Sequence, residues 1–507
     1  MHTTSMKTPP FQRRKDINIK DRFLIAYHVK YRNNWGLISR LADKYNVSRV
    51  FIYNTSDKFS SHLEQAFGDN KPVVCDNSSL KSILLYRMDG KCSIVDISVL
   101  LQRFGIKYTS VGYISEKLSE IGKTLGNTLD LPDVECFTFA VCSDEIFSNG
   151  RPILISVDPK SLLILNIELA DKRDAEAWTN HFQTIKEQDI NITQLIKDEG
   201  LGLRAAQQTE LPNVAVQSDT FHAVAHRFGL FVNRFLAKAY KFIDNEYECD
   251  RLFWGAKSEQ NCQKRYDNYW QATLKTHKAI DLYENFQFLY HCLLECFQPF
   301  DNKGNLKDVN KVTEDFDTAL ELLKQLNISE INAEIKSIEN CKSDLFTFFH
   351  SAKDICQTLA QSFDIGILKP LCLAWQCKKN WIKAKNSKRR EWFKNKELHL
   401  LNHVKERCEN DFTSTYNAVY KQLDNIIQSS AAVECINSLL RPYLNSMKGN
   451  VTQEFLNLFM FYHNHHRFNS GLRKGKSPFE IATDSKNQKD WLNLVLQKIE
   501  LSKTGFN

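Results

Sequence analysis

The order of apolar and polar residues divides the chain into a helical N-terminal part, a short strand-rich segment and a long helical block. Apolar residues spaced three and four apart predict helices over residues 21–31 and 37–45. Asn46 suits a tight turn after the second helix, and Ser48 suits the N-cap of a third. The first region, residues 1–65, is therefore predicted to contain a helix-turn-helix.

A helix-turn-helix binds DNA by laying its second helix in the major groove, so that the early residues of that helix face base edges. We expect Ser48, Arg49 and Asn54 to be those residues. A small helical hairpin that only packs its own core is the alternative. A second helical region, residues 66–130, has a similar pattern, and both DNA binding and simple packing stay open there.

The pattern changes between residues 131 and 222. Five short apolar runs bounded by turn residues predict strands, and an amphipathic helix over 175–187 separates the third from the fourth. The runs cover residues 136–141, 152–157, 162–167, 192–196 and 214–217. Three strands followed by helix, strand, helix and strand occur in few folds, of which the RNase H-like fold is foremost. We expect an α/β core with a five-stranded mixed sheet.

Residues 223–430 are helical by pattern and rich in aromatic side chains, and they form a predicted all-α insertion. Its basic stretch includes Lys388, Arg389 and Arg390 and is interleaved with aromatic rings. Such a pattern favours nucleic-acid contact, although a solvated helix face is the alternative. Residues 431–507 form a further helix and a basic tail. The predicted fold class is therefore mixed and mainly α.

Composition adds modest limits to this picture. The 507 residues carry a net charge of +7, from 67 Lys and Arg against 60 Asp and Glu, which is compatible with a polyanionic partner. The 14 scattered cysteines and the absence of an apolar leader predict free thiols in a reduced, cytoplasmic protein. No apolar run approaches the roughly 18 residues that span a bilayer, so no membrane association is expected.

Three acids at separate places in the chain are the candidate chemistry. Asp144 is assigned to the first strand, three residues past its apolar run (144 − 141), and Asp198 to the end of the fourth. These strands are neighbours in an RNase H-like fold, so the two carboxylates would repel each other unless a cation lay between them. Glu434 stands on a late helix. Hard divalent cations prefer carboxylate oxygens, and two such ions about 3.5–4 Å apart are a common device for cleaving phosphodiesters.

The residues around Glu434 extend this pattern. Asn437 follows at three positions and Arg441 at seven, which places all three on roughly one helical face. Together with Asp144 and Asp198 they resemble the DDE triad region of bacterial insertion-sequence transposases, which are relatives of retroviral integrases. The sequences TyrHisAsnHisHisArgPhe and GlyLysSerProPheGlu near the C terminus also resemble that family. The gap of 236 residues between the second and third acids (434 − 198) is much longer than in many relatives.

The resemblance implies an enzyme that cuts and rejoins DNA at the ends of its own mobile element. It implies two Mg²⁺ (or Mn²⁺) ions on Asp144, Asp198 and Glu434, and DNA contacts by Asn437 and Arg441. Water would first free a 3′-OH, which would then attack the target. The expected partners are double-stranded DNA and further copies of the chain, in the bacterial cytoplasm near the nucleoid. The alternatives are a catalytically inactive, transposase-derived DNA-binding protein and a nuclease without strand transfer.

Neighbouring residues compete for some of these roles. Asp158 is a rival for Asp144, but it precedes proline, which is typical of a turn. Asp219 is the alternative second acid, and together with His222 it is predicted to steady the centre or to touch DNA. Glu145 should point to the opposite face of the strand from its neighbour and is not expected to be a ligand.

Overall fold

Three clusters of buried apolar side chains organise the fold. The protein is seen here in a computed structural model that describes residues 17–31, 34–67, 76–106, 109–129, 131, 137–408, 411–471, 473–486 and 489–504. One cluster holds the first three helices together. The largest joins the sheet to the helices on either side of it in sequence, and the third lies within the long helical block.

The described residues are mainly helical and contain five strands, with short π-helical turns at Leu85–Asp89 and Phe221–His226. The first helices are α1 (Ile19–Tyr31), α2 (Leu37–Lys44), α3 (Arg49–Phe67), α4 (Asp76–Leu84), α5 (Ile94–Arg103) and α6 (Val111–Leu125). The strand-rich segment contains β1 (Phe137–Ser148), β2 (Arg151–Val157), β3 (Ile164–Leu169), α7 (Ala175–Lys186), β4 (Ile190–Lys197), α8 (Leu201–Glu210) and β5 (Ala215–Ser218).

The rest of the described chain is helical. The block after β5 consists of α9 (Arg227–Trp254), α10 (Glu259–Cys296), α11 (Val309–Lys324), α12 (Ser329–Glu339), α13 (Lys342–Leu345), α14 (Phe348–Ser362), α15 (Ile365–Lys383), α16 (Ser387–Cys408) and α17 (Phe412–Leu423). The last helices are α18 (Ala431–Met447), α19 (Gln453–His465), α20 (Pro478–Ala482) and α21 (Trp491–Thr504).

The N-terminal helices have the turn and cap that the sequence predicts. Asn46 adopts a left-handed φ of 48°, which allows the tight turn between α2 and α3. The Ser48 hydroxyl accepts a hydrogen bond from the Phe51 N–H at 3.1 Å and so caps α3. Ser48, Arg49 and Asn54 are all exposed along the start of this helix. DNA binding by them stays a prediction.

The second helical region packs against the C-terminal part of the chain. Buried Ile114, Leu118 and Ile121 lie on α6 and belong to the same cluster as the sheet. The Asn457 side chain on α19 donates to the Gly122 carbonyl at 3.0 Å. Residues of this region therefore pack in the core around the sheet. A DNA contact by the exposed side of the region stays a prediction.

All five predicted strands are present in a single mixed sheet of order β3-β2-β1-β4-β5. The pairs β1–β2 and β2–β3 are antiparallel, whereas β1–β4 and β4–β5 are parallel. Helices α7, α18 and α19 pack against the sheet. Strand β1 runs to Ser148, well past the predicted end at residue 141, so its last residues pair only with β2.

The helical block has an apolar core of its own, whose members run from Ala223 to Ile426 and so lie inside the predicted insertion. It is also fixed to the sheet. The Gln217 side chain on β5 accepts a hydrogen bond from the Phe348 N–H at 2.7 Å and donates to the Leu345 carbonyl at 3.0 Å. The insertion is therefore a separately packed unit anchored at the sheet edge.

Two predictions about the whole chain can be checked against the described part. Its twelve cysteines are all unpaired, as expected of free thiols. Among the described helices, none has the length and apolarity needed to cross a bilayer.

We predict that Gly122→Ala destabilises the protein, because an added Cβ would lie 1.9 Å from the Glu454 carbonyl oxygen and would push α6 away from α19. The expected loss is about 1–3 kcal/mol of unfolding free energy, measured by chemical denaturation. Gly112→Ala on the same helix is the matched control, because nothing lies within 4 Å of its added Cβ. Equal stability of the two variants would contradict the described packing.

Candidate metal centre

Two acids meet where neighbouring parallel strands end. The last β1–β4 pair joins Ser143 to Lys197, so Asp144 and Asp198 are the next residues on each chain. Ligands commonly bind at the carboxyl ends of strands in open α/β sheets, since the diverging chains leave a crevice there. Asp144 remains paired with Ile155 of β2 on its other side, which holds its backbone in place.

Asp144 belongs to two overlapping groups of side chains that can each hold a metal ion. In the first, its carboxylate oxygen and those of Glu145 and Asp198 lie within 4.8 Å of one another. In the second, the same limit applies to ligand atoms of Asp144, His222 and Glu434. The structure therefore brings together the three acids predicted from the sequence, and Asp144 is the member that both groups share.

The expectation that Glu145 points away from the site is wrong. Its side chain is only 6% exposed and lies with Asp144 and Asp198, and it forms an ion pair with Arg173 at 2.6 Å. Side-chain alternation fixes the direction of successive Cβ atoms along a strand. Glu145 is still paired with Leu154 of β2, but its longer side chain brings its carboxylate to those of Asp144 and Asp198. Glu145 and Arg173 are thus parts of the site that the sequence pattern did not indicate.

Crowding of carboxylates changes the protonation of the site. Burial, together with the nearby charge of Asp198, raises the pKa of Asp144 to about 8, although the Glu145 N–H donates to its carboxylate at 2.8 Å and opposes the shift. Burial also raises the pKa of Glu145, and Arg173 limits that rise. The metal-free site therefore holds more negative charge than its surroundings stabilise, which favours a bound cation.

Asp219 joins the elements that carry His222 and the last acid. Its Oδ1 accepts the His222 N–H at 3.1 Å, and its Oδ2 accepts both the N–H of Ser430, at 2.9 Å, and the Ser430 hydroxyl. The adjacent Thr220 donates its N–H and its hydroxyl to the Gln428 carbonyl at 3.1 and 2.9 Å. Because Ser430 immediately precedes α18, this buried carboxylate fixes the start of the helix on which Glu434 lies.

His222 gives the clearest indication that a ligand belongs here. It lies on the π-helical turn before α9, a kind of turn often found at functional sites. Its Nε2 is buried and lies 3.4 Å from the Glu434 carboxylate, yet no group in the described part of the chain forms a hydrogen bond with it. An unsatisfied imidazole nitrogen beside carboxylates fits a divalent metal ion.

Asp158, the rival for Asp144, lies in the turn between β2 and β3. Its carboxylate accepts the N–H of Ser161 at 2.8 Å and that of Lys160 at 3.3 Å, and it also accepts the Ser161 hydroxyl. These are the hydrogen bonds of an Asx-type turn. Asp158 is a member of neither candidate metal group.

Asn437 is buried, although a DNA contact needs an accessible side chain. It is only 2% exposed and lies on α18, a helix that packs against β1 and β2. DNA contact by Asn437 stays a prediction. Arg441, one turn further along, is exposed, and no acid in the described residues pairs with it.

The basic stretch of the insertion is exposed. Lys388, Arg389 and Arg390 lie at the start of α16, on the surface of the helical block. Their contact with DNA stays a prediction.

Comparisons with protein-family models and with curated protein sequences find no match for this chain. The function must therefore be argued from the site itself.

We predict that Asp144→Asn stabilises the metal-free protein in a pH-dependent way. A carboxyl whose folded pKa lies near 8 contributes stability that is present at low pH and lost as the pH rises toward 8. In the presence of a chelator, the two proteins should melt alike below about pH 4, and the variant should melt increasingly higher between about pH 4 and pH 8.

The control for this measurement is Asp171→Asn, because Asp171 is 89% exposed. A constant difference in melting temperature between the Asp144 variant and wild type at every pH would refute the explanation. Added Mg²⁺ should raise the melting temperature of wild type more than that of the Asp144 variant.

We predict that Asp219→Ala lowers both stability and divalent-metal affinity, because buried donors lose their acceptor and the start of α18 is released. The stability cost should be about 3 kcal/mol or more. Metal affinity would be followed by calorimetric titration with Mg²⁺. Ser430→Ala, which removes only the hydroxyl donor, should have a smaller effect on both. Unchanged Mg²⁺ affinity in the Asp219 variant would show that this carboxylate does not position the site.

Proposed function

We propose that this chain is a transposase that cleaves and rejoins DNA strands at the ends of a mobile element, using divalent metal ions. The observation that carries the proposal is the sharing of Asp144 between two groups of metal-binding side chains. One shared carboxylate flanked by Asp198 on one side and Glu434 on the other suits a pair of ions about 3.5–4 Å apart.

The sheet supports the proposal. Its order β3-β2-β1-β4-β5, with the first three strands antiparallel and the last two parallel to β1, is the order expected of an RNase H-like core. In this interpretation the acids on β1 and after β4 are the first two members of a DDE triad, and Glu434 is the third. The helices from α9 to α17 are then an insertion between the second and third acids.

Each group of the site has a chemical task in this reaction. Two Mg²⁺ or Mn²⁺ ions, when bound, would neutralise charge on the phosphorus and make an oxygen nucleophile reactive at neutral pH. Asp144, Asp198 and Glu434 would hold them, with Glu145 and His222 as further donors. Hydrolysis would leave a 3′-OH, and attack of that hydroxyl on target DNA would exchange one phosphodiester for another without ATP.

Exposed cations of the insertion and of α18 would hold the DNA backbone. Arg389 and its basic neighbours lie at the exposed start of α16. Arg441 lies seven residues after Glu434, or about 10 Å along the same helix. Phosphate contacts of this kind position DNA without specifying its sequence, a task we assign to Arg49 and its neighbours on α3.

We predict that Glu434→Gln abolishes Mg²⁺-dependent cleavage and leaves DNA binding intact, because it removes a metal ligand without disturbing the basic surfaces. The rate should fall about 1000-fold or more, since metal stabilisation of the transition state is worth several kcal/mol. The assay would use duplexes that carry the DNA flanking the gene, with a plasmid as target. Asp158→Asn is the control and should retain activity.

The products separate this proposal from its alternatives. Joined product from wild type, lost in the Glu434 variant, supports a transposase. Binding without cleavage at any Mg²⁺ or Mn²⁺ concentration would indicate a DNA-binding protein that has lost catalysis. Cleavage without joined product would indicate a nuclease.

A further inference from the structure

The two longest helices extend beyond the insertion core as an arm. We define the arm as residues 236–281, which comprise the end of α9, the turn, and the first part of α10. None of its residues belongs to any of the three apolar clusters. Within the described residues, hydrogen bonds and ion pairs of the arm join only its own two helices, as in the bond from Thr273 to Glu246 at 2.8 Å.

The arm exposes many large apolar residues, although a few rings such as Phe253 and Tyr269 stack between its two helices. Its only buried side chains are Ala239, Ala272, Thr276 and Ala279. Its exposed large side chains are Tyr240, Ile243, Tyr247, Leu252, Trp254, Tyr266, Trp270 and Leu274. The arm therefore presents a large apolar surface to water.

These exposed side chains form stripes rather than a scatter. On α9, Tyr240, Ile243 and Tyr247 are spaced three and four apart, and the 77% exposed Trp254 follows after a further seven. On α10, Tyr266, Trp270 and Leu274 are spaced four apart. Such spacing is that of helices that pack against other helices.

The charge of the arm indicates a protein partner rather than DNA. Residues 236–281 contain eight Lys and Arg against seven Asp and Glu, interspersed along both helices. A nearly neutral surface gives little of the electrostatic attraction on which binding to a polyanion depends. A second copy of the same arm offers matching apolar stripes and an equally balanced set of charges.

We propose that two copies of this chain associate through their arms, which pack side by side as a four-helix bundle about a two-fold axis. The available area is sufficient. The exposed fractions of the five aromatic rings amount to about three whole side chains, or about 600 Å² per arm at about 200 Å² each. Complete burial of these rings in two arms would remove at most about 1,200 Å² from water, which reaches the lower end of the range of stable interfaces.

The test is sedimentation of the full chain without DNA at micromolar concentration. Wild type should be a dimer, and the double variant Tyr247→Ala, Trp254→Ala should associate about 100-fold more weakly, because buried aromatic residues dominate interfaces. Trp392→Ala is the matched control, since this exposed tryptophan lies on α16 outside the arm, and it should leave the dimer unchanged. Circular dichroism would establish that each variant keeps its helices.

Hydrogen exchange of wild type gives a measurement that needs no variant. Amides of residues 240–254 and 266–274 should exchange more slowly in concentrated than in dilute protein. A wild type that stays monomeric at tens of micromolar would overturn the proposal, as would a dimer unaffected by the double variant. Either result leaves the proposed DNA chemistry unaffected, because no residue of the arm belongs to the metal centre.

Discussion

The buried carboxylate of Asp219 fixes the position of Glu434. It does so by accepting a hydrogen bond from Ser430, which lies more than two hundred residues further along the chain and immediately precedes the helix of Glu434. It satisfies donors at the start of the π-helical turn and at the start of α18, so two helices that enter and leave the insertion are fixed at one point. A carboxylate buried with charge-assisted hydrogen bonds is costly to disturb. The geometry of His222 and Glu434 therefore depends on a residue that need not touch a metal.

This arrangement explains how the chain can carry a large insertion without losing the centre. The insertion has its own apolar core, so its folding does not draw side chains from the sheet. Only its two ends must be held together, and the entropic cost of closing a loop rises slowly with its length. Paired contacts of Thr220 and Asp219 with residues 428–430 meet that requirement. The insertion also carries the exposed basic residues at the start of α16 and the arm formed by α9 and α10.

The sequence was sufficient for the parts of the fold that local patterns determine. Apolar runs between turn residues located all five strands, and the acids at strand ends located Asp144 and Asp198. It was insufficient where tertiary packing decides. Helical spacing put Asn437 on the same side of α18 as Glu434, but spacing cannot show which part of that side faces the sheet. Alternation failed for Glu145 because the rule gives the direction of its Cβ and not the position of the carboxylate at the end of the side chain.

The same electrostatics connect the stability of the site with its proposed chemistry. Carboxylates that repel one another in the metal-free protein lower its stability at neutral and alkaline pH, as the raised pKa of Asp144 indicates. A divalent cation would remove that repulsion. Part of the free energy of metal binding would therefore come from the loss of repulsion between carboxylates that destabilises the metal-free protein. Arg173 removes only part of the repulsion between the carboxylates, because it pairs with Glu145 and leaves Asp144 and Asp198 side by side. The protein thus neutralises one carboxylate itself and leaves Asp144 and Asp198 without a basic partner of that kind among the described residues.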